Sequence, residues 1–280
     1  MSAQHLSEVC GGDSIDNITQ LLKTLLSSAT LPDTEDGSSS YLEGIWGYKD
    51  ADGRTALHWA VALKNYDMVN KLIAAPYNAP VMTEDNDGAS PFLSACMVGA
   101  PEALVKELLT LSVEQYPSFQ KCPEAHKPQS EPFNPPVSAP EGTDPPTSDE
   151  IRSIILQSSD SSGNTPLLVA VSRGHTHIVK FLLENDVDLF HQNERGQSVL
   201  HRAVGKGNLD LVELLVRHSE KKFSETKSRH RQWMNLQDYR GDSALFYASM
   251  ENNEEMGKFL LRHGADRELR NKEGKQFWEL

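Results

Sequence analysis

The sequence between Ser162 and Leu215 repeats itself, and this repetition limits the folds open to the chain more than any other feature. The first copy begins Ser162-Gly-Asn-Thr-Pro-Leu-Leu-Val-Ala, and the second begins Arg195-Gly-Gln-Ser-Val-Leu-His-Arg-Ala. Gly163 and Gly196 are therefore 33 residues apart. A unit this short cannot bury its own apolar face, so it stacks on neighbouring units, and the chain is predicted to form a solenoid.

Each position in the unit suits a helix–turn–helix pair with a hairpin tip. Thr165 can cap the first helix, and Pro166 fits its first turn because a backbone N–H is not needed there. Gly174 and Gly207 fall where this helix must end, a place that favours a left-handed residue. Apolar pairs then recur at the spacing of a second helix: Ile178, Val179, Leu182 and Leu183.

A period of 33 residues with this pattern is typical of ankyrin repeats. We therefore expect an all-α ankyrin-repeat solenoid of about six to seven repeats, forming a single domain over residues 1–280. The repeats are predicted near residues 1–27, 50–82, 85–112, 160–191, 193–220 and 238–268, with a partial repeat at 271–280. They are numbered repeats 1 to 7 below.

Two insertions interrupt this period. Gly88 and Gly163 are 75 residues apart, and nine of the chain's 15 prolines lie between Tyr116 and Asp149. Residues 113–157 are therefore predicted to be a disordered Pro-rich insertion, with a degenerate hidden repeat as the alternative. Gly196 and Gly241 are 45 residues apart, which predicts a second, basic loop at 219–232.

Charge and motifs exclude several classes of function. A net charge of −13 argues against a nucleic-acid backbone as the main partner, although the basic loop could still touch nucleic acid or serve as a localisation signal. The sequence has no Gly-rich phosphate loop, no GxSxG elbow and no cluster with zinc-ligand spacing. His58 and His201 occupy the repeat's own histidine position, where the ring bonds neighbouring turns. We expect no enzyme, no metal, no cofactor and no membrane span.

The chain resembles the gankyrin family, the ankyrin-repeat chaperones that help assemble the proteasome regulatory particle. The resemblance rests on Asp52-Gly-Arg-Thr-Ala-Leu-His-Trp-Ala, Leu200-His-Arg-Ala-Val-Gly-Lys-Gly-Asn-Leu and Asn235-Leu-Gln-Asp. It implies a non-catalytic protein whose concave groove grips the C-terminal domain of one AAA ATPase subunit. We also expect a monomer, and three cysteines without a CxxC pair, a leader or a membrane span predict cytoplasm and nucleus. The alternative is a general ankyrin-repeat adaptor that regulates a kinase or a transcription factor.

The resemblance also implies contact residues. Arg54 and Arg173 match basic positions that pair with glutamates of the ATPase, and acidic residues at the hairpin tips face basic side chains of the partner. Repeat geometry leaves other tip and helix-end positions free for recognition. The predicted partner-binding set is Arg54, Arg173, Lys206, Asp50, Asp52, Asp85, Asp87, Glu194, Arg195, Tyr239, Asp242 and Glu251. For any one of these charges the alternative is a solvated surface. Replacing Arg54 and Arg173 with Glu is expected to leave the melting temperature almost unchanged.

Overall fold

The structure is a computed structural model that describes residues 3–12, 14–28, 45–120 and 145–279. Within these ranges the chain forms α-helices, two short 3-10 helices and turns, and no β-strand. Contacts divide it into two compact units, Met1–Ile155 and Leu156–Leu280. None of the described helices is long and apolar enough to cross a membrane.

The first unit contains the helix pairs of repeats 1 to 3. They are α1 (Ala3–Cys10) with α2 (Ile15–Ser28), α3 (Ala56–Ala62) with α4 (Tyr66–Ile73), and α5 (Pro91–Val98) with α6 (Glu102–Gln120). The first helices of successive repeats pack on one another, α1 on α3 and α3 on α5. Leu57, Leu72 and Phe92 are fully buried between these layers.

The second unit repeats this arrangement. It contains α8 (Pro166–Arg173) with α9 (Thr176–Glu184), α10 (Val199–Gly205) with α11 (Leu209–Lys222), and α13 (Ala244–Met250) with α14 (Glu254–Arg262). Here α8 packs on α10, and α10 packs on α13. The predicted all-α class with paired helices is confirmed.

Helix ends follow the local rules read from the sequence. The Thr165 side chain accepts a hydrogen bond from the Leu168 backbone N–H, and Pro166 is the first residue of α8. Gly174 and Gly207 have φ of 80° and 66°, so both are left-handed, as predicted. A left-handed residue at the end of the first helix lets the chain turn directly into the second.

Both ends of the predicted Pro-rich insertion are helical. Of residues 113–157, those at 113–120 belong to α6 and those at 148–157 form α7 (Ser148–Gln157), while 121–144 lie outside the described residues. Tyr116 is only 6% exposed, and Ile151 and Ile155 are buried one turn apart on α7. Disorder was therefore wrongly predicted for residues 113–120 and 148–157. The high proline content suggested disorder, although the apolar side chains recur there at helical spacing.

The basic segment is not a loop. Residues 219–222 end α11, and residues 227–234 form α12 (Lys227–Met234). The Trp233 side chain is fully buried, and its Nε1 donates to the Leu189 carbonyl at 2.9 Å. Charges on the exposed face of this helix masked its two buried apolar residues, Trp233 and Met234.

One side-chain acceptor organises each hairpin turn. An Asp or Asn lies three residues before the turn glycine, and its Oδ1 accepts the backbone N–H groups two and four residues later at 2.8–3.1 Å. Such a contact is an Asx turn, in which the side chain replaces a backbone acceptor. These residues, called the turn acceptors below, are Asp50, Asp85, Asp160, Asn193, Asp238 and Asn271.

Backbone hydrogen bonds then join one tip to the next. In the second unit the Tyr239 N–H donates to the Arg195 carbonyl at 3.1 Å, and the Lys272 N–H donates to the Arg240 carbonyl at 2.9 Å. The tips approach so closely that a Cβ on Gly196 would lie 2.7 Å from the Tyr239 backbone nitrogen. Gly196, with φ of 73°, is therefore required both for its conformation and for this approach.

Substituting this glycine tests the close approach. We expect Gly196→Ala to lower the free energy of unfolding by about 3 kcal/mol, because a left-handed alanine is strained and its Cβ also clashes with backbone. Gly174→Ala is the matched control, since Gly174 is left-handed too but a Cβ there meets nothing within 4 Å. It is expected to lose only about 1 kcal/mol. Urea denaturation measures both, and equal losses would show that the tip contact contributes nothing.

Candidate functional site

The predicted contact residues fall into both compact units, and each unit is described by itself. In the first unit, the Arg54 side chain already contacts side chains of repeats 2 and 3. Its Nε lies 3.2 Å from Oδ2 of Asp85, which is only 3% exposed, and its guanidinium lies 4.9 Å from the centre of the Trp59 ring. Arg54 itself is 32% exposed. The structure therefore predicts that reversing Arg54 lowers stability, contrary to the expectation from sequence, because a carboxylate there would face a buried carboxylate.

The four predicted tip carboxylates of the first unit divide into two kinds. Asp52 and Asp87 are exposed, as a contact residue must be. Asp50 and Asp85 are turn acceptors, and Asp50 also accepts a hydrogen bond from Trp59 Nε1 at 2.6 Å. Assigning Asp85 to partner contact was wrong, because it is only 3% exposed and its carboxylate is satisfied by its own turn and by Arg54. Asp50 is half-buried, and its assignment to partner contact stays a prediction.

Two half-buried charged side chains, Lys49 and Glu84, lie close to Asp85 in the first unit. Burial raises the pKa of Glu84 to about 7, and Asp85 adds to the effect while Lys49 opposes it. Burial also lowers the pKa of Lys49, whose Nζ donates to the Glu84 carbonyl at 2.8 Å. The contacts around Glu84 are therefore sensitive to pH near neutrality.

The repeat histidines have the structural role expected of them. The His58 Nδ1 accepts the Thr55 backbone N–H at 3.1 Å, and its Nε2 lies 3.0 Å from the Ala89 carbonyl of the next repeat. Burial lowers the pKa of His58 to about 4, so the ring is neutral and donates from Nε2. His201 makes the corresponding contacts with Ser198 and the Asp242 carbonyl. Neither ring is free to act as a nucleophile or a metal ligand.

Exposed charges follow the last turn of the first helices in the second unit. Arg173, Lys206 and Glu251 occupy equivalent positions, each ten residues after the turn glycine of its repeat. All three side chains are exposed, and none has an ion-pair partner in the described part of the chain. Because α8 packs on α10 and α10 on α13, the three positions form one row. This row is the first element of a candidate contact surface.

Hairpin tips supply the second element. Glu194 and Arg195 are exposed in repeat 5, and Tyr239 in repeat 6 is 65% exposed, the largest value among the exposed large apolar side chains of the described residues. Asp242 was predicted to join them but is only 3% exposed and accepts from Asn271 Nδ2 at 2.9 Å. Its assignment to partner contact was wrong, since its carboxylate links two tips.

Sequence reasoning missed two side chains between these elements. Arg202 lies one helical turn before Lys206, and its Nε is buried without a hydrogen-bond partner in the described chain. The Gln197 Oε1 is likewise buried and unpartnered, while Gln197 Nε2 donates to the Tyr247 hydroxyl at 2.7 Å. The spacing of four residues between Arg202 and Lys206 could have placed both on one helical face. Unpartnered buried polar atoms are rare in native proteins, so a hydrogen bond from water or from a bound partner would satisfy both.

No described residues suit a metal. No group of three or more His, Cys, Asp or Glu side chains within residues 3–12, 14–28, 45–120 and 145–279 is placed to hold such an ion. The geometry offers a mixed surface of exposed Arg, Lys, Glu and Tyr side chains supported by rigid turns. Such a surface can bind another protein.

Family models identify the repeats. A model described as ankyrin repeats in three copies matches residues 147–227, and the single ankyrin-repeat model matches residues 52–86 and 240–272. Together these matches cover more than half of the chain. The chain belongs to the ankyrin-repeat family. Proteins of this family are typically non-catalytic and bind other proteins.

Individual relatives are more distant. The chain is 26% identical over 228 residues to the probable 26S proteasome regulatory subunit p28 of Saccharomyces cerevisiae, covering 81% of this chain and 78% of the yeast protein. It is 33% identical over 120 residues to the mouse B-cell lymphoma 3 protein homolog, covering 42% of this chain and 24% of that protein. The solved ankyrin repeat domain of Bcl-3 matches with a TM-score of 0.58 and 22% identity, over 97% of this chain and 91% of the Bcl-3 chain. The last likeness establishes the fold alone.

Reversing Arg54 tests its structural role. We expect Arg54→Glu to lower the free energy of unfolding by about 2–3 kcal/mol, because it removes the partner of a buried carboxylate and adds a like charge beside it. Arg173→Glu is the control and should stay within about 0.5 kcal/mol of the wild type, since that side chain is exposed and makes no ion pair. Urea denaturation of both variants is the measurement. An unchanged Arg54→Glu protein would show that the ion pair with Asp85 contributes no stability.

Glu84 predicts a pH dependence of stability. Its pKa of about 7 exceeds the ordinary value of 4.5, so the folded protein binds this proton more tightly than the unfolded chain does. The Glu84 contribution is therefore complete at low pH and is lost as pH rises through about 7. Relative to Glu84→Gln, the wild type should lose about 1–3 kcal/mol of unfolding free energy between roughly pH 5 and pH 8. His58 titrates equally in both proteins and cancels, so parallel stability curves would contradict the assignment.

Proposed function

We propose that this protein is a non-catalytic assembly chaperone for the base of the proteasome regulatory particle. It holds the C-terminal domain of one AAA ATPase subunit and sterically blocks premature docking of the base on the core particle. We expect it to act as a monomer in cytoplasm and nucleus. The observation that carries this proposal is the extent of the match to the yeast regulatory subunit p28, which spans most of both chains.

The arrangement of the second unit supports a charged protein partner. Arg173 and Lys206 stand exposed in one row, without intramolecular ion pairs among the described residues, and the unpartnered Arg202 Nε lies one turn away. Removing one member of a desolvated interfacial charge pair costs about 2–5 kcal/mol, whereas an exposed pair contributes only about 0.2–1 kcal/mol. A partner that buries this row against glutamates would therefore depend on it strongly.

The first unit contributes less directly than the family resemblance implies. Arg54 keeps one face of its guanidinium on Trp59 and is held by Asp85, so it is preorganised rather than mobile. A preorganised side chain loses less conformational freedom on binding. Arg54 can still meet a partner carboxylate, but its substitution combines a loss of binding with a loss of stability.

A general ankyrin adaptor is the second candidate. The mouse B-cell lymphoma 3 protein homolog has the higher identity, although over a shorter stretch of both chains. An adaptor for a kinase or a transcription factor would use the same fold and different contact residues. The two candidates differ in the partner that the exposed row of the second unit recognises.

Capture experiments separate these candidates. The purified full-length protein is incubated with the isolated C-terminal domain of each base ATPase in turn, and bound domain is quantified. Selective capture of one domain is expected, because a charged row fits one pattern of carboxylates and is repelled by others. Capture of none of the domains would reject the chaperone and leave the adaptor.

Charge reversal tests the contact surface within the same assay. Arg173→Glu with Lys206→Glu should weaken capture by at least about 30-fold, the effect of roughly 2 kcal/mol, with an unchanged melting temperature. Lys180→Glu is the matched control, because Lys180 is an exposed cation on α9, outside the row. Equal capture by all three proteins would show that the ATPase domain binds elsewhere.

A further inference from the structure

In the basic segment at 219–232, some cationic side chains stabilise the fold and others do not. The Lys222 Nζ lies 2.7 Å from Asp186 Oδ1 and donates to the Val187 carbonyl at 3.0 Å. The Arg229 guanidinium lies over two rings, 5.2 Å from Phe190 and 5.6 Å from Phe223. These two cations are committed to packing α11 and α12 against the end of repeat 4.

Two histidines fasten α12 to the end of α14. The His230 Nδ1 lies 2.7 Å from the Ser219 hydroxyl, and its Nε2 lies 2.9 Å from the His263 carbonyl. The Asn235 Nδ2 donates to the Gly264 carbonyl at 3.1 Å. Since α12 is tied to α11 on one side and to α14 on the other, the space between the three helices keeps a fixed shape.

That space is a cavity of about 1060 Å³. Lys227 and Arg231 from α12 and Arg262 from α14 line it, and all three side chains are exposed without an ion-pair partner among the described residues. Of the described residues, only Glu220 contributes a carboxylate to the lining, and its Oε1 lies 2.8 Å from His263 Nδ1. The cavity is therefore cationic, on a chain whose net charge is −13.

We infer that this cavity, called the α12 cavity, binds an acidic segment of a protein partner. Three unpaired cations from two helices line it, together with three neutral hydrogen-bonding side chains: Ser224, Ser228 and Gln232. Its volume exceeds the range of about 300–1,000 Å³ for pockets that hold small molecules, so it has room for several peptide residues and is far larger than a single phosphate needs. Carboxylates spaced along a peptide can pair with Lys227 and Arg231 on α12 and with Arg262 on α14.

Nucleic acid fits the α12 cavity less well. Binding of single strands relies on free aromatic rings for base stacking as well as on cations. The aromatic residue that lines this cavity, Phe223, is only 7% exposed and already lies beneath Arg229.

This inference goes beyond the proposed function, because the α12 cavity contains none of the residues proposed to hold the ATPase. Fluorescence anisotropy on the full-length protein tests it, with a labelled peptide of alternating glutamate and aspartate as the probe. A peptide of the same length, in which glutamine and asparagine replace the carboxylates, is the probe control. A labelled oligothymidine of similar length tests the nucleic-acid alternative.

The expected result is that the acidic peptide binds, the amide peptide does not, and added salt weakens binding. Arg231→Gln with Arg262→Gln should weaken acidic-peptide binding at least tenfold. Ser228→Glu, which keeps every cation but adds a carboxylate to the lining, should weaken it similarly. Lys180→Gln, an exposed cation outside the cavity, should have no effect.

Three results would overturn the inference: no binding of the acidic peptide, binding that the cavity variants leave unchanged, or tighter binding of the oligothymidine that the same variants abolish. The Arg231→Gln with Arg262→Gln protein should still capture the ATPase domain as well as the wild type. Loss of peptide binding with intact ATPase capture therefore separates the two proposals. If ATPase capture never occurs, the peptide result stands by itself.

Discussion

The hairpin turn of repeats 2 to 7 depends on one carboxylate or amide oxygen. A turn acceptor takes two backbone N–H groups at once, and this fixes the chain so that the following glycine can become left-handed and approach the next tip. In two of these repeats the second oxygen also binds an aromatic side chain: Asp50 Oδ2 accepts from Trp59, and Asp238 Oδ2 accepts from the Tyr247 hydroxyl. In both repeats the aromatic side chain on the first helix is thereby hydrogen-bonded to the turn, which holds the turn and the first helix together.

His58 and His201 each join their own repeat to the next one by a hydrogen bond. His58 reaches the Ala89 carbonyl, and His201 reaches the Asp242 carbonyl, in both cases the residue that follows the next turn glycine. A buried neutral ring suits this task because one nitrogen accepts within its own repeat while the other donates across the interface. Satisfied polar bonds in a thin core specify the stacking geometry that apolar contacts alone would leave loose.

Much of this fold follows from sequence, and the reason is physical. Thr165 and Gly174 are short-range signals whose partners lie within four residues in sequence. The contacts of His58 and His201 with the residues three positions earlier are equally local, so the repeat pattern alone places all of these. The helix α12 escaped prediction because its stabilising contacts, such as Trp233 with the Leu189 carbonyl, are 44 residues apart in sequence. The contact residues were predicted least well. Asp50, Asp85 and Asp242 are tip carboxylates like Asp52 and Asp87, and only the three-dimensional contacts separate acceptors inside a turn from charges that face water.

The same distinction governs the basic side chains. Arg54 and Arg229 look like surface cations in sequence, yet each lies over an aromatic ring and holds two elements together. Arg173, Lys206, Arg231 and Arg262 have no such role among the described residues, so evolution or engineering can change them without a large loss of stability. On an acidic chain an unpaired cation is attracted to the protein's own carboxylates, and it stays available only where rigid helices hold it away from them. Recognition by this protein is therefore expected where the scaffold keeps opposite charges apart, and not wherever charge is most abundant.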